Sequence, residues 1–260
     1  FGLGISGSAA YNITSLNTSA YIEDILANFS ADKENRNGLS ALAVNNTDIS
    51  AYSGAASLVK SGNNSNDFKV ALAGSMAVND LNNNTRAYGN NIEIPGSDYL
   101  SFRALTAGEY LAVALGAAVN TNSTSTVSIA GSASINESKN TAQAYITDSI
   151  LDANSYSEPE EDNEDDSSEN SSVEIEKNIE FTAYDQSKLG TGGGALLLNG
   201  KAGVGTAVSY SHNANSVKSY FKNVTAEGFN TADINAFNSS KIASGAAMGS
   251  FTSEANSASL

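Results

Sequence analysis

The chain has 260 residues, with 13 Lys and Arg against 28 Asp and Glu, a formal charge of −15, one His and no Cys. The acidic excess repels phosphate backbones and anionic headgroups, which argues against nucleic acid as a partner. The lack of cysteine removes disulfides, thiolate metal sites and cysteine nucleophiles together. The longest nearly apolar stretch, 110–119, falls far short of the ~20 residues of a spanning helix, so no membrane insertion is expected. A chain opening on Phe1, with no basic leader, reads as an excised fragment or a mature product.

Taken in chain order, a short phrase recurs four times, as Ser19-Ala20-Tyr21-Ile22, Arg86-Ala87-Tyr88-Gly89, Gln143-Ala144-Tyr145-Ile146 and Lys218-Ser219-Tyr220-Phe221. The tyrosines are spaced by 67, 57 and 75 residues. Gly7, Gly74 and Gly131 each stand 13 residues before the phrase alanine, and Gly205 stands 14 before Ser219. A second phrase follows each first one, centred on Ala43, Ala104, Ala183 and Ala236. The two phrases are 17 residues apart in the second and fourth units, 23 in the first and 39 in the third. The excess is supplied by 32–37 and by the acidic run from Ser157 to Asp166, so both insertions enter at one turn. A repeat architecture tolerates extra residues at a corner, because loop-closure entropy grows slowly with length.

From each second phrase to the next first one is 44, 40 or 36 residues, about twice the shorter gap. Three coils of some 18–20 residues per unit then give about a dozen coils in all. Apolar residues alternate within the phrases, as in Ala20 and Ile22 around Tyr21, which is the period-two signature of strands. Turn-formers such as Asn82-Asn83-Asn84 and Gly62-Asn63-Asn64-Ser65 separate them, and small residues such as Ala114-Leu115-Gly116-Ala117-Ala118 fill their middles. The fold class read from this is all-β, a narrow parallel β-helix in which residues 1–260 form a single segment, with an acidic loop insertion at 154–176.

Several motifs suggest chemistry and are weighed against plainer readings. Gly2-Leu3-Gly4-Ile5-Ser6-Gly7 matches a dinucleotide fingerprint, but that mechanism needs a following helix, and residues 8–19 lack helical periodicity. Asp162, Asp165 and Asp166 are the calcium candidates of the acidic run. The run has no sharp-turn glycine, and charges this dense favour a solvated loop. Asp48, Glu109 and Asp185 follow the second phrase at offsets of 5, 5 and 2, out of step for carboxylates converging on a glycan. Thr47, Thr85, Thr106 and Thr126 do not share one register, as a flat polymer-binding face requires. His212 is the single imidazole and sits between Ser211 and Asn213, a solvated position rather than a catalytic one. No cofactor is expected.

The alternation points Tyr21, Tyr88, Tyr145 and Tyr220 outward in one file. With three coils between successive rings their spacing is about 14 Å, which makes them isolated studs rather than a continuous aromatic ladder, either candidates for surface contact or simply tyrosines that suit a strand position and cover their neighbours.

The phrase Ala71-Leu72-Ala73-Gly74-Ser75-Met76-Ala77-Val78-Asn79, alternating with Thr85-Arg86-Ala87-Tyr88 and followed at 236–242 by Ala-Phe-Asn-Ser-Ser-Lys-Ile, resembles the repeat region of leukotoxin-type, filamentous haemagglutinin-like adhesins. The resemblance implies a right-handed parallel β-helix within a type V secretion passenger, secreted or held on the outer surface of a Gram-negative bacterium, with adhesion or virulence as its role. It implies a host-cell or bacterial surface receptor or glycan as partner, together with flanking repeats of the same chain. It carries over no catalytic residue. A non-enzymatic stalk segment is the reading this supports, and a polysaccharide-acting β-helix enzyme and a binding module for a polymer surface are its rivals.

Overall fold

A computed structural model describes residues 2–27, 37–60, 68–121, 126–153, 176–199 and 202–252. Every element among them is a strand. A first sheet holds, in spatial order, β1 (Gly2–Thr14), β5 (Lys69–Leu81), β8 (Thr126–Ser138) and β11 (Ala202–Asn213). A second holds β2 (Asn17–Leu26), β6 (Asn84–Pro95), β9 (Thr141–Asp152) and β12 (Ser216–Glu227). The third is built on two long strands, β7 (Tyr99–Asn120) and β10 (Asn178–Asn199). Beside β7 lie β3 (Gly38–Asn46) and β4 (Ile49–Val59), and beside β10 lie β13 (Thr231–Asn238) and β14 (Lys241–Thr252). All pairings are parallel. The chain visits the first, second and third sheets in turn and re-enters the first sheet one strand over.

The phrase alignment proves to be the strand register. Ala20 pairs with Ala87, Ala87 with Ala144 and Ala144 with Ser219, while Ala43, Ala104, Ala183 and Ala236 form a second column. Both insertions fall where the chain passes from the second sheet to the third, although residues 28–36 and 154–175 lie outside the described residues. Two expectations are corrected. Each unit is one passage through three sheets, so the described strands make four layers rather than a dozen coils. The stretch taken for two further coils is the second half of a 22-residue strand followed by a strand of the first sheet. Gly205 pairs with Ala130, and Thr206 takes the place beside Gly131, so the fourth glycine is out of the column by one residue.

Packing divides the interior in two. Between the second sheet and the leading half of the third lie the large side chains Phe102, Phe181, Ile92, Ile94, Leu100, Ile146 and Leu151, all fully buried. Phe102 stacks on Phe181 at 5.3 Å, and Phe221 meets Phe181 edge-on at 4.8 Å. Between the first sheet and the trailing half of the third the middle is filled by Ala51, Ala55, Ala71, Ala73, Ala77, Ala112, Ala114, Ala118 and Ala130, with Val59, Ala195 and Leu197 towards one end and Leu81, Tyr110 and Leu189 at the other. The sheets approach so closely there that a Cβ on Gly116 would stand 2.5 Å from the Gly131 carbonyl oxygen.

Polar columns hold the layers in step. Asn12 donates to Asn79 Oδ1 at 2.9 Å, and Asn79 donates to Asn136 Oδ1 at 2.8 Å and to the Leu111 carbonyl at 2.9 Å. At the corner between the first two sheets, the backbone N–H groups of Leu16, Asn83 and Asn140 donate to the side-chain oxygens of Asn83, Asn140 and Asn215 in the next layer. Such bonds offset the cost of burying amides, although Asn83 Nδ2 is buried without a partner among the described residues. A third column, Asp24, Asn91, Asp148 and Asn223, adopts φ between 51° and 54° in every layer, a region that short polar Asx side chains tolerate. This left-handed residue shifts the inward positions by one, so that Ile92 and Ile94 continue the interior begun by Ala87 and Gly89.

Candidate functional site

The outer face of the second sheet carries the tyrosine file. Alternation along β2, β6, β9 and β12 sends Ala20, Ala87 and Ala144 towards the interior and the intervening tyrosines outward. The register places Tyr21 beside Tyr88, Tyr88 beside Tyr145 and Tyr145 beside Tyr220. Ring centroids are 5.4, 5.2 and 4.9 Å apart, with planes 15°, 7° and 2° from parallel. The outward direction agrees with the alternation, but the 14 Å spacing does not hold, because successive tyrosines occupy adjacent layers. The four rings form the continuous ladder that three coils per unit had ruled out.

Two polar rows run alongside. Ser19, Arg86, Gln143 and Lys218 form the row two residues before the tyrosines, and Glu23, Asn90, Thr147 and Lys222 the row two residues after. Thr147 donates to Asn90 Oδ1 at 2.8 Å, and Arg86 Nε to Asn84 Oδ1 at 3.0 Å. Burial against the neighbouring rings raises the hydroxyl of Tyr88 above the ordinary phenol range, and the Glu23 carboxylate that it approaches raises it further. Burial raises Tyr145 as well, and the Arg86 guanidinium works in the opposite sense. Both phenols therefore stay protonated as donors through neutral pH. Because each inner ring covers the face of the next, ligand stacking on ring faces is blocked along the file. What remains outward is a row of hydroxyls at one-strand spacing, flanked by Arg86, Gln143 and Lys218, and suited to hydrogen-bonding an extended polar partner.

The other candidates separate in space. Asp48 and Glu109 do become neighbours, since Asp48 Oδ1 accepts from the Glu109 N–H at 2.8 Å. The column then continues with Lys188 and Lys241, not with a further acid. Lys188 Nζ lies 2.6 Å from Glu109 Oε1, and this pair lines a small cleft of about 270 Å³ with Asn46, Gly108 and Gln186. Asp185 points inward, fully buried, accepting from the backbone N–H and hydroxyl of Ser187 and from the Asn215 amide. The three carboxylates do not converge. His212 is exposed and stacks on Tyr210 at 6.3 Å. Thr106 donates to Thr85 in the interior at 2.9 Å, so neither contributes to a flat outer face. Gly2, Gly4 and Gly7 lie inside β1, and the next element is again a strand. The calcium candidates Asp162, Asp165 and Asp166 lie outside the described residues. Among the described residues no group of three or more His, Asp or Glu is placed to hold a metal ion, and no helix is long and apolar enough to cross a membrane.

The offsets of 67, 57 and 75 residues, applied only to the alanine-tyrosine phrase and its glycine, also generate the Asx column at 24, 91, 148 and 223 and the asparagine corner at 83, 140 and 215. Testing every residue type at those offsets is the signal that finds them. No family model, curated protein or solved structure matches the chain. The described residues define an all-β protein of three parallel sheets with a stacked tyrosine file on one outer face.

Proposed function

We propose that the three sheets wind about a common axis as a right-handed parallel β-helix. In this reading the segment is a non-enzymatic stalk of a large filamentous haemagglutinin-like adhesin, secreted or held on the outer surface of a Gram-negative bacterium. Its task is to hold weak contact sites at fixed intervals, so that avidity gives binding to a surface receptor or glycan. Flanking repeats of the same chain are its structural neighbours. The observation that carries this reading is the column register, in which one set of offsets places the tyrosine and Asx positions of four layers, and asparagines of three, over one another. Identical contacts repeated at strand spacing are what an elongated scaffold requires. The tyrosine file is the proposed contact face, and carboxylates tied up in an ion pair or buried singly weigh against the glycan-cleaving rival.

Excising residues 84–140 tests the winding. The excision joins Asn83 to Thr141, the residue that pairs with Asn84, and leaves every column in step. A wound chain closes up with one layer fewer, keeps a β-type circular dichroism spectrum and melts cooperatively at a lower temperature. Loss of all cooperative structure rejects the winding. The contact role is tested by a glycan array and cell-binding assay with the chain immobilised. Binding that survives replacement of Tyr88 and Tyr145 by serine rejects the tyrosine face.

A further inference from the structure

The first sheet has an inverted distribution of side chains. Its inward positions are small or polar, such as Ala71, Ala73, Ser75, Ala77 and Asn79 on β5, while Val70, Leu72, Met76 and Val78 point outward. The register repeats this in every layer. A ridge of Ile5, Leu72, Ile129 and Val204 lies on one side of a groove floored by Gly7, Gly74 and Gly131. Beyond the groove, Tyr11, Val78, Ile135 and Tyr210 form a second apolar row. No charged residue occurs at the outward positions from 3 to 11 or at their register partners, in a chain whose net charge is −15. Ile5 is 70 % exposed and Val208 57 %. Parallel sheets are ordinarily covered on both faces, and this one is covered on its inner face alone among the described residues.

We propose that this outer face is the interface between two copies of the chain, packed sheet to sheet. Area supports a second copy as the occupant. Nine residues at ~3.3 Å by four strands at ~4.8 Å make a patch of roughly 570 Å². Two such patches bury roughly 1,100 Å², just above the ~1,000 Å² that a specific interface needs. Form supports it as well, because the glycine groove runs near the middle of the face with apolar rows on both sides. Under a two-fold axis along the stack, the rows before the groove in one copy meet the rows after it in the other, a closed arrangement typical of dimers. Charge sets a signature. The acidic remainder of each copy repels the other, so added sodium chloride, by screening that repulsion, strengthens the association. The inference is independent of the stalk reading and of the tyrosine face.

The test is sedimentation equilibrium of the whole chain over a wide concentration range, at low and high salt. A monomer–dimer equilibrium that tightens with salt is expected. Leu72→Lys with Ile129→Lys buries unpaired charges among the apolar rows of the interface and is expected to weaken dimerisation at least ~100-fold. Leu72→Thr, which keeps strand propensity and removes apolar area, serves if the lysine variant does not fold. Leu115→Lys, on the apolar outer face of the third sheet, leaves the dimer intact. A chain that stays monomeric at every concentration overturns the proposal. So does assembly that grows without closing, or that responds to Leu115→Lys and not to the first-sheet variants.

Discussion

Tyr88 and Tyr145 stand 57 residues apart in the chain, yet their rings stack at 5.2 Å with planes 7° from parallel. Each is one residue of a parallel pair, so the stack depends on the register of β6 and β9 and on nothing local in sequence. Tyr145 also stacks on Tyr220, whereas Tyr21 has one tyrosine neighbour among the described residues.

That difference is measurable. An aromatic pair contributes about 0.5–1.5 kcal/mol beyond its area burial. Tyr145→Ser, which removes two stacks, is expected to cost about twice as much stability as Tyr21→Ser, which removes one. Urea denaturation of the two variants checks the ratio, and equal losses would contradict the stacked geometry.

The raised phenols give the stability a pH dependence of known sign. Burial holds the folded-state values of Tyr88, Tyr145 and the interior Tyr110 above the ordinary one, which is about 10 in an unfolded chain. The stability linked to them is therefore fully present below about pH 10 and is lost as the pH rises through their folded-state values. Lys139 and Lys188, raised by Glu137 and Glu109, act with the same sign. Urea midpoints should be flat at neutral pH and fall in alkali. In the double variant Tyr88→Phe, Tyr145→Phe the fall should be shallower, since only the tyrosine share is removed.

Phe181 packs in the thicker half of the interior against both Phe102 and Phe221. Truncation to alanine leaves a cavity that flanking strands cannot close, with an expected loss of about 3–5 kcal/mol. Ala114→Gly, in the thin half, removes a single methyl, and a milder loss is expected. Chemical denaturation of the two variants orders the two regions.

Asn136 accepts from Asn79 and donates to the carbonyls of Tyr110 and Gly190. Asn136→Ala strands these groups, at about 1–3 kcal/mol for each one left unsatisfied. Asn136→Asp sets carboxylate oxygens against two carbonyls, so its folded-state pKa is raised and its deficit shrinks as the pH falls. Thermal melts of the aspartate variant at pH 7 and pH 4 should show the smaller deficit at pH 4.

Much of this was legible in the sequence. Alternation around Ala20 and Ala87 gave strands, and the phrase intervals gave the register of Ala43 with Ala104 and of Ala183 with Ala236. The layer count was not legible, because a period of two runs unchanged through β7 and β10 and carries no mark of where a coil closes. Strands of 22 residues are far longer than the usual 5–6, so dividing them into shorter coils followed the common case. The tyrosine spacing inherited that division.

The sequence by itself determined which residues share a column, since offsets between repeats are a property of the chain, and which residues of each strand face together, since side chains alternate. Only the tertiary structure decided how many layers separate two columned residues, and with it whether Tyr88 touches Tyr145. It also decided that the middle of the interior behind the first sheet holds mainly alanines, with Leu81, Tyr110 and Leu189 filling one end, while Leu72 and Ile129 lie on the outer face. The physical reason is that periodicity fixes the direction of a side chain relative to its own strand, while contact and burial depend on which strand or sheet lies opposite.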